Sequence, residues 1–316
     1  MTLLVDGRRA LLERLVDYAG LFPPTSLSMN EAIAEYREAR GGPHAWMLGR
    51  FLCPTSGLEE LAAALTGSMR SGEDPWRLSV IFDGVGGTDA IATAGFDRTM
   101  TPGAVVELIE AKAPAEASDG RTAREAEAMI AVVVDAALSV SSEVVPFIEI
   151  ARGPGMADAV AAVANLRRRR IRPVGAKLRT GGLTADAFPG PEEVAGFMVA
   201  CNRAALPFKV TAGLHHPIRH RHPDLDVMRH GFLNLLVAAT MAGEGAAPED
   251  LVAAIADTDP HAFAVTTSGL SWRGRRMAAG TLLAMRHRLF PAYGSCSFAE
   301  PVEDLVAMGI LTGAAP

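Results

Sequence analysis

Residues 144–178 read VVPFIEIARGPGMADAVAAVANLRRRRIRPVGAKL. In the middle, Met156, Val160, Val163 and Leu166 recur at the period of an α-helix. The runs on either side, 144–150 and 174–178, are apolar without that period, as strands buried on both faces are. Strand, helix, strand in this order is a crossover unit, and it lays its two strands parallel. The basic run Arg167–Arg170 ends the helical pattern, where cations complete a helix C-terminus, so it reads as a cap and not as a phosphate grip.

The same alternation extends in both directions. Further strand candidates are 45–52, 77–82, 104–109, 207–211 and 262–266. Capping boxes at Ser28–Glu31, Ser56–Glu59 and Thr122–Glu125 open helices between them, and Pro191-Glu-Glu opens another. Seven strands need an eighth to close a barrel. Residues 230–239 and 292–298 compete for it. Leu225, Met228, Phe232, Leu236 and Ala239 keep helical spacing, so 292–298 is preferred. An open doubly wound sheet is the rival, but no GxGxxG follows any strand. The expected fold is α/β: a single (β/α)8 TIM-barrel-like domain over residues 1–316. Residues 1–40 form a helical extension that covers one end.

Composition bounds the function. The chain has 316 residues, 49% of them hydrophobic, enough for one large core. A net charge of −6 argues against nucleic acid as a partner. No apolar run reaches the length of a membrane span, and no h-region stands near the N-terminus, so a cytoplasmic protein is expected. Cys53, Cys201 and Cys296 form neither a disulfide framework nor a CxxC metal site. No cofactor is called for, and a homo-oligomer is allowed.

Chemistry in such barrels gathers where strands end. Collected there are Arg50, Asp83, Glu107, Glu110, Lys112, Glu149, Arg152, Lys177, Arg179, Lys209, Thr211, His215, His216, Ser295 and Cys296. Alternation along a strand puts Lys177 and Arg179 on one face, and likewise Lys209 and Thr211. If Gly175 lets the interior crowd, Lys177 and Arg179 point inward, and Lys177 and Lys209 meet on adjacent strands. Two ammonium groups in a dry pocket depress each other's pKa, and a neutral lysine can attack a carbonyl. Taken alone, either lysine would be expected to snorkel to solvent. Glu107 and Glu110 have opposite parity, so at least one should face a helix or solvent. Cys296 is expected to be an inert buried thiol. The segment 212–226, with Arg219 and Arg221, reads as a lid that attracts an anion.

The strings GAKLRTGG (175–182) and PFKVTAGL (207–214) resemble the paired lysine strands of class I aldolases of the deoxyribose-phosphate aldolase type. In those enzymes one lysine forms a Schiff base and a lysine on the next strand tunes it. No phosphate-binding glycine loop occurs late in this chain. DYAGLFPP, GPHAWMLGRF, AKLRTGG, AGLHHP, HGFLN and GSCSF are also similar to an uncharacterised bacterial protein family, a resemblance that implies no activity.

The expected function is a lyase acting on a small anionic carbonyl compound, aldolase-like, through a lysine imine. Lys209 or Lys177 is the nucleophile and the other its partner. Glu149 moves a proton, and His215 or His216 is a second acid–base group. Arg179, Arg50, Asp83, Thr211, Asn234, Ser295 and Cys296 are candidate substrate contacts. One alternative is a divalent-metal hydrolase or isomerase on Glu149, His215 and His216. Another is a barrel that binds a small molecule without catalysis.

Overall fold

The computed structural model describes residues 6–66, 72–99 and 103–313. Eight parallel strands close into a barrel in the order β1-β8-β7-β6-β5-β4-β3-β2. They are β1 (Val16–Tyr18), β2 (Leu48–Pro54), β3 (Trp76–Ile81), β4 (Ala104–Lys112), β5 (Val145–Ile150), β6 (Gly175–Arg179), β7 (Phe208–Thr211) and β8 (Tyr293–Ser295). The helices are α1 (Gly7–Leu12), α2 (Met29–Gly41), α3 (Leu58–Thr66), α4 (Gly86–Thr99), α5 (Ala123–Leu138), α6 (Met156–Arg170), α7 (Pro191–Arg203), α8 (Phe232–Gly243), α9 (Pro248–Ala256), α10 (Ala279–Arg288) and α11 (Ala299–Ala307). Among the described residues no helix is long and apolar enough to cross a membrane.

The crossover unit at 144–178 forms as expected: β5, α6, β6, with Glu149 beside Lys177 in register. The arginine run at the end of α6 ties down its neighbours. Arg170 pairs with Asp135 and Arg169 with Glu127, both on α5, and Arg167 donates to the Ala205 carbonyl. Ser28–Glu31 and Thr122–Glu125 close as capping boxes. Ser56 does not cap α3. It binds Asp83 at the end of β3 instead, through both its N–H (3.1 Å) and its hydroxyl (2.5 Å).

Three expectations need correction. The first strand is not 45–52 but Val16–Tyr18, inside the stretch read as a helical extension. Helix α2, within the same stretch, is the crossover to β2. Three residues are too few to display a period, so the pattern of the chain does not mark this strand. Residues 262–266 are not a barrel strand: Phe263–Thr266 pairs antiparallel with Gly269–Trp272, which pairs with Arg275–Ala278, in a separate sheet. That sheet lies between β7 and β8 in sequence and holds α1, since the Gly7 N–H donates to the Thr267 carbonyl at 2.7 Å. Strand eight is Tyr293–Ser295, as preferred, and 232–243 is helical, but Leu225 and Met228, expected in the same helix, lie before it, Met228 in a short strand. The segment 212–226 is not open loop throughout, because His220–Arg221 and Met228–Arg229 pair as a short antiparallel hairpin.

Gly175 sits where the barrel wall has no room for a side chain. A Cβ there would lie 2.4 Å from Phe147 Cε1 and 2.8 Å from the Pro207 carbonyl. The missing side chain admits the Phe147 ring, over which Lys209 Nζ passes 5.8 Å from the centroid. Gly175→Ala should overpack this layer and cost about 1–3 kcal/mol. Urea denaturation midpoints of the two proteins measure that loss directly.

Candidate functional site

A barrel of this type usually fills its lumen with branched apolar side chains. Here the lumen holds a chain of alternating charges. Arg179 Nε lies 3.4 Å from Glu149, and Glu149 lies 2.9 Å from Lys177 Nζ. Lys177 is 2.7 Å from one oxygen of Glu110, and Lys209 Nζ is 2.5 Å from the other. Lys209 also binds Asp17 at 2.5 Å. Asp17 meets Arg50 at 3.4 Å, and Arg50 meets Glu107 at 2.9 Å. Glu110 is on β4 and Lys209 on β7, with β5 and β6 between them in the wall. Their contact therefore runs through the barrel interior. Asp17, Glu110, Lys177 and Lys209 are each at most 3% exposed. The Ser79 hydroxyl adds a donor to Glu110 at 2.9 Å, and the Arg50 N–H one to Asp17 at 2.8 Å.

The paired lysines stand in register on β6 and β7, as expected. Their electrostatics differ from the expectation. The two ammonium groups do not face each other bare, because Glu110 stands between them. Burial pulls the Lys177 pKa down, but Glu110 and Glu149 outweigh it and hold the group above the usual lysine value. Burial pushes Glu110 up, but Lys177 and Lys209 outweigh it and hold the carboxyl far below the usual range. Glu149 is lowered too: burial opposes this, while Lys177 and Arg179 prevail. Lys177 rests as an ammonium.

Glu110 reaches the lumen because β4 carries a bulge. Leu78 pairs with Val106, yet Ser79 pairs with Leu108, so Glu107 is an extra residue. Strict alternation is broken there, and both glutamates join the inner charge chain. Glu107 remains partly exposed to solvent and also pairs with Arg14 and Arg77.

Above this chain, at the C-terminal ends of the strands, opens a cavity of about 470 Å³. Its polar lining comprises Asp83, Glu110, Lys112, Glu149, Lys177, Arg179, Thr211, His215, Arg229 and Cys296. Phe22, Pro23, Pro24, Leu52, Ile81, Phe82 and Leu183 supply apolar wall. Lys177 thus faces the cavity, and Lys209 lies beneath it, absent from the lining. Asp83 lines the wall while bonded to Ser56.

Four candidates fall elsewhere. Arg50 is in the lumen below the cavity, engaged by Asp17 and Glu107, and does not reach a ligand above. Asn234 is buried in α8, accepting from the Arg219 N–H and donating to the Ala254 and Asp257 carbonyls, so its role is structural. Ser295 alternates with the cavity-lining Gly294 and Cys296 and is turned away, accepting from the Ser297 N–H. His216 points to Asp304 on α11 at 2.6 Å and packs edge-on against His220, lining a different cavity. Glu149, His215 and His216 are therefore not assembled as one metal site. Among the described residues no group of three or more His, Cys, Asp and Glu has metal-binding geometry. Neither lid arginine named from sequence lines the cavity: Arg219 contacts His230 and Arg221 pairs with Asp226. Arg229, from the same excursion, lines it instead.

His215 lies between two partners. Its Nδ1 is 2.6 Å from Glu300 on α11, and its Nε2 faces Cys296 Sγ at 3.5 Å. The Thr25 hydroxyl donates to the same sulfur at 3.0 Å. Burial lowers the His215 pKa, but the hydrogen bonds with Cys296 and Glu300 raise it more, to about 9. Burial raises the Cys296 thiol, and the hydrogen bond to His215 and its charge bring it below the ordinary value. Cys296 is buried, as expected, but its sulfur has polar partners that an apolar setting would lack. Asp17 and Glu300 are neighbours that the sequence did not disclose, while Glu110 stands among the strand-end residues but with parity against it. Only a strand assignment at 16–18 could have exposed Asp17.

No protein-family model matches this chain, and no curated protein matches it.

Glu110→Gln should break the centre of the charge chain. It leaves two buried lysines short of a carboxylate, at a cost of about 3–5 kcal/mol. Glu110 and Glu149 have lowered folded-state values, so their stabilisation is complete above the ordinary 4.5 and is lost as pH falls through the folded values. Lys177 is raised, so its share persists below 10.5 and is lost only as pH rises through its folded value. The stability gap between parent and variant in denaturant unfolding should therefore be constant near neutrality and narrow below about pH 4.5, the ordinary carboxyl value. The variant should lose less on acidification.

Proposed function

We propose that the protein is an enzyme that forms an imine on Lys177 with a small anionic carbonyl compound and cleaves a carbon–carbon bond. Lys177 carries this reading: it is a buried amine in the cavity wall, ion-paired to two carboxylates, with a second lysine behind the shared one.

The chemistry follows from charge. Before attack, Lys177 passes a proton to Glu149, which lines the same wall. The neutral amine adds to the carbonyl carbon, and the N–C bond forms. The proton returns from Glu149, the former carbonyl oxygen departs as water, and an iminium remains on Nζ. That iminium carries the same positive charge, at the same nitrogen, as the resting ammonium. Glu110 and Glu149 therefore stabilise it without rearranging, which is preorganised electrostatic catalysis. The cost of deprotonating a raised lysine is offset by a product ion that the site already fits. Glu149, again a carboxylate, then takes the proton of a hydroxyl β to the iminium carbon. The carbon–carbon bond breaks toward nitrogen and leaves a neutral enamine, and an aldehyde departs. Protonation at carbon and hydrolysis by water free Lys177.

Lys209 is a positioning residue. It holds Glu110 from below and does not meet the ligand. Lys112, Lys177, Arg179 and Arg229 face the cavity against Asp83, Glu110 and Glu149, and Lys209 offsets Glu110 from beneath. The lining therefore favours a carboxylate-bearing ligand.

Sodium borohydride trapping with a panel of aldehydes and keto acids tests the proposal. The expected result is one reduced adduct, seen by intact mass and mapped to Lys177, and its loss in Lys177→Arg. No adduct with any carbonyl compound sinks the imine. Saturable binding of a keto acid without an adduct would make the barrel a binding protein.

A further inference from the structure

Cys296, His215 and Glu300 form a line that the imine chemistry does not use. Glu300 fixes the histidine tautomer: a carboxylate accepts, so Nδ1 carries a proton and Nε2 is left to face the sulfur. The Thr25 hydroxyl also donates to Sγ. The sulfur is thus placed as an acceptor, the role of a thiolate, with its base oriented by a third group. Cys296 and His215 both line the cavity that holds Lys177. The other two cysteines have no such setting. Cys53 is buried in β2 and donates to the Pro54 carbonyl, Cys201 is buried in α7, and burial pushes both thiols up. Around the pair stand Arg229 and Tyr18, the latter bonded to Glu35, and beyond Glu300 lie His216 and Asp304.

We propose that Cys296, His215 and Glu300 are a second reactive centre of this cavity, a thiolate nucleophile that adds reversibly to the carbonyl carbon of an aldehyde. The thiol proton rests on His215 Nε2, making the imidazolium, and the sulfur's electron pair forms the S–C bond. The carbonyl π pair moves to oxygen, and the proton on His215 Nε2 passes to that oxygen. The product is a neutral thiohemiacetal, with His215 neutral and still bonded to Glu300. No oxidant and no leaving group is required. The nucleophile stands independently of the imine; only the choice of an aldehyde rests on it, because carbon–carbon lysis in the same cavity releases one.

Iodoacetamide alkylation of the whole protein, followed by peptide mapping, tests the nucleophile. Cys296 should be the cysteine modified, at a rate that falls less between about pH 8 and about pH 6 than that of an ordinary thiol. His215→Asn should slow it at least about tenfold at pH 6, since thiolate character is lost. Glu300→Gln should slow it less. A rate that climbs with pH as an ordinary thiol does, unchanged by His215→Asn, overturns the proposal. No alkylation of Cys296 overturns it as well. Glyoxylate, an aldehyde with a carboxylate, tests the electrophile. It should slow alkylation in Lys177→Arg, which keeps the cation but cannot form an imine. Protection confined to the parent protein would overturn aldehyde capture at sulfur. Borohydride reads Lys177 and iodoacetamide reads Cys296, so either centre can fail without the other.

Discussion

Glu110 receives Lys177 on one carboxylate oxygen and Lys209 on the other, at 2.7 and 2.5 Å, in the middle of a closed barrel. Much of the site's arrangement follows from this contact. Removing an ion from water costs several kcal/mol, and each of these three charges is recovered only through its neighbours. The chain must therefore continue until it reaches solvent. It does so upward through Glu149 to Arg179, and downward through Asp17 and Arg50 to Glu107. Strands β1, β2, β4, β5, β6 and β7 each contribute at least one link. A slip of any of these strands by one residue would turn its charged group out of the lumen and leave a partner bare. Apolar layers would hold such a barrel at lower electrostatic cost. A charged lumen is an expensive choice that makes sense where the charges act.

Several helices and most strands could be read from the chain because they rest on local rules. Capping at Ser28 and Thr122, the helical period of Met156–Leu166 and the apolar runs at 144–150 and 174–178 each concern a handful of adjacent residues. Val16–Tyr18 could not be read that way. It is a strand because β2 and β8 hold it on either side, not because three residues prefer to be extended. Phe263–Thr266 has the opposite history. It has strand character, but Gly269–Trp272 returns antiparallel beside it and takes its hydrogen bonds, so it never enters the barrel.

The site divides along the same line. Parity along β6 and β7 was enough to place Lys177, Arg179, Lys209 and Thr211, the loop after β7 gave His215, and the ends of other strands gave Asp83, Glu149 and Cys296. Asn234 and Ser295 failed because proximity in sequence to a rim says nothing of direction. Arg50 does point inward, but below the cavity. His216 failed because consecutive residues diverge: His215 turns to the cavity and His216 to Asp304. Glu110 was discounted by the parity rule that placed the lysines, since one extra residue in β4 defeats a strict alternation. Asp17 and Glu300 act through partners far away in the chain, and no spacing could have reported them.

The two groups proposed to react have opposite surroundings. Lys177 is hemmed in by carboxylates, which favour a cation at nitrogen. Cys296 is met by a hydroxyl and an imidazole, which favour an anion at sulfur. Neither environment would serve the other group: carboxylates around the thiol would suppress its ionisation, and donors around the amine would disfavour an iminium. The polarity of the cavity wall therefore assigns the bond each centre can make. An amine under negative charge fits condensation with loss of water, where the cation persists. A thiolate under positive charge fits addition, where its charge passes to oxygen and is quenched by the proton on His215. On these two proposals, a ligand spanning the cavity would meet an iminium-forming nitrogen on one strand and an adding sulfur beyond another. The barrel separates them by strand: β6 carries the first, and the residue after β8 carries the second.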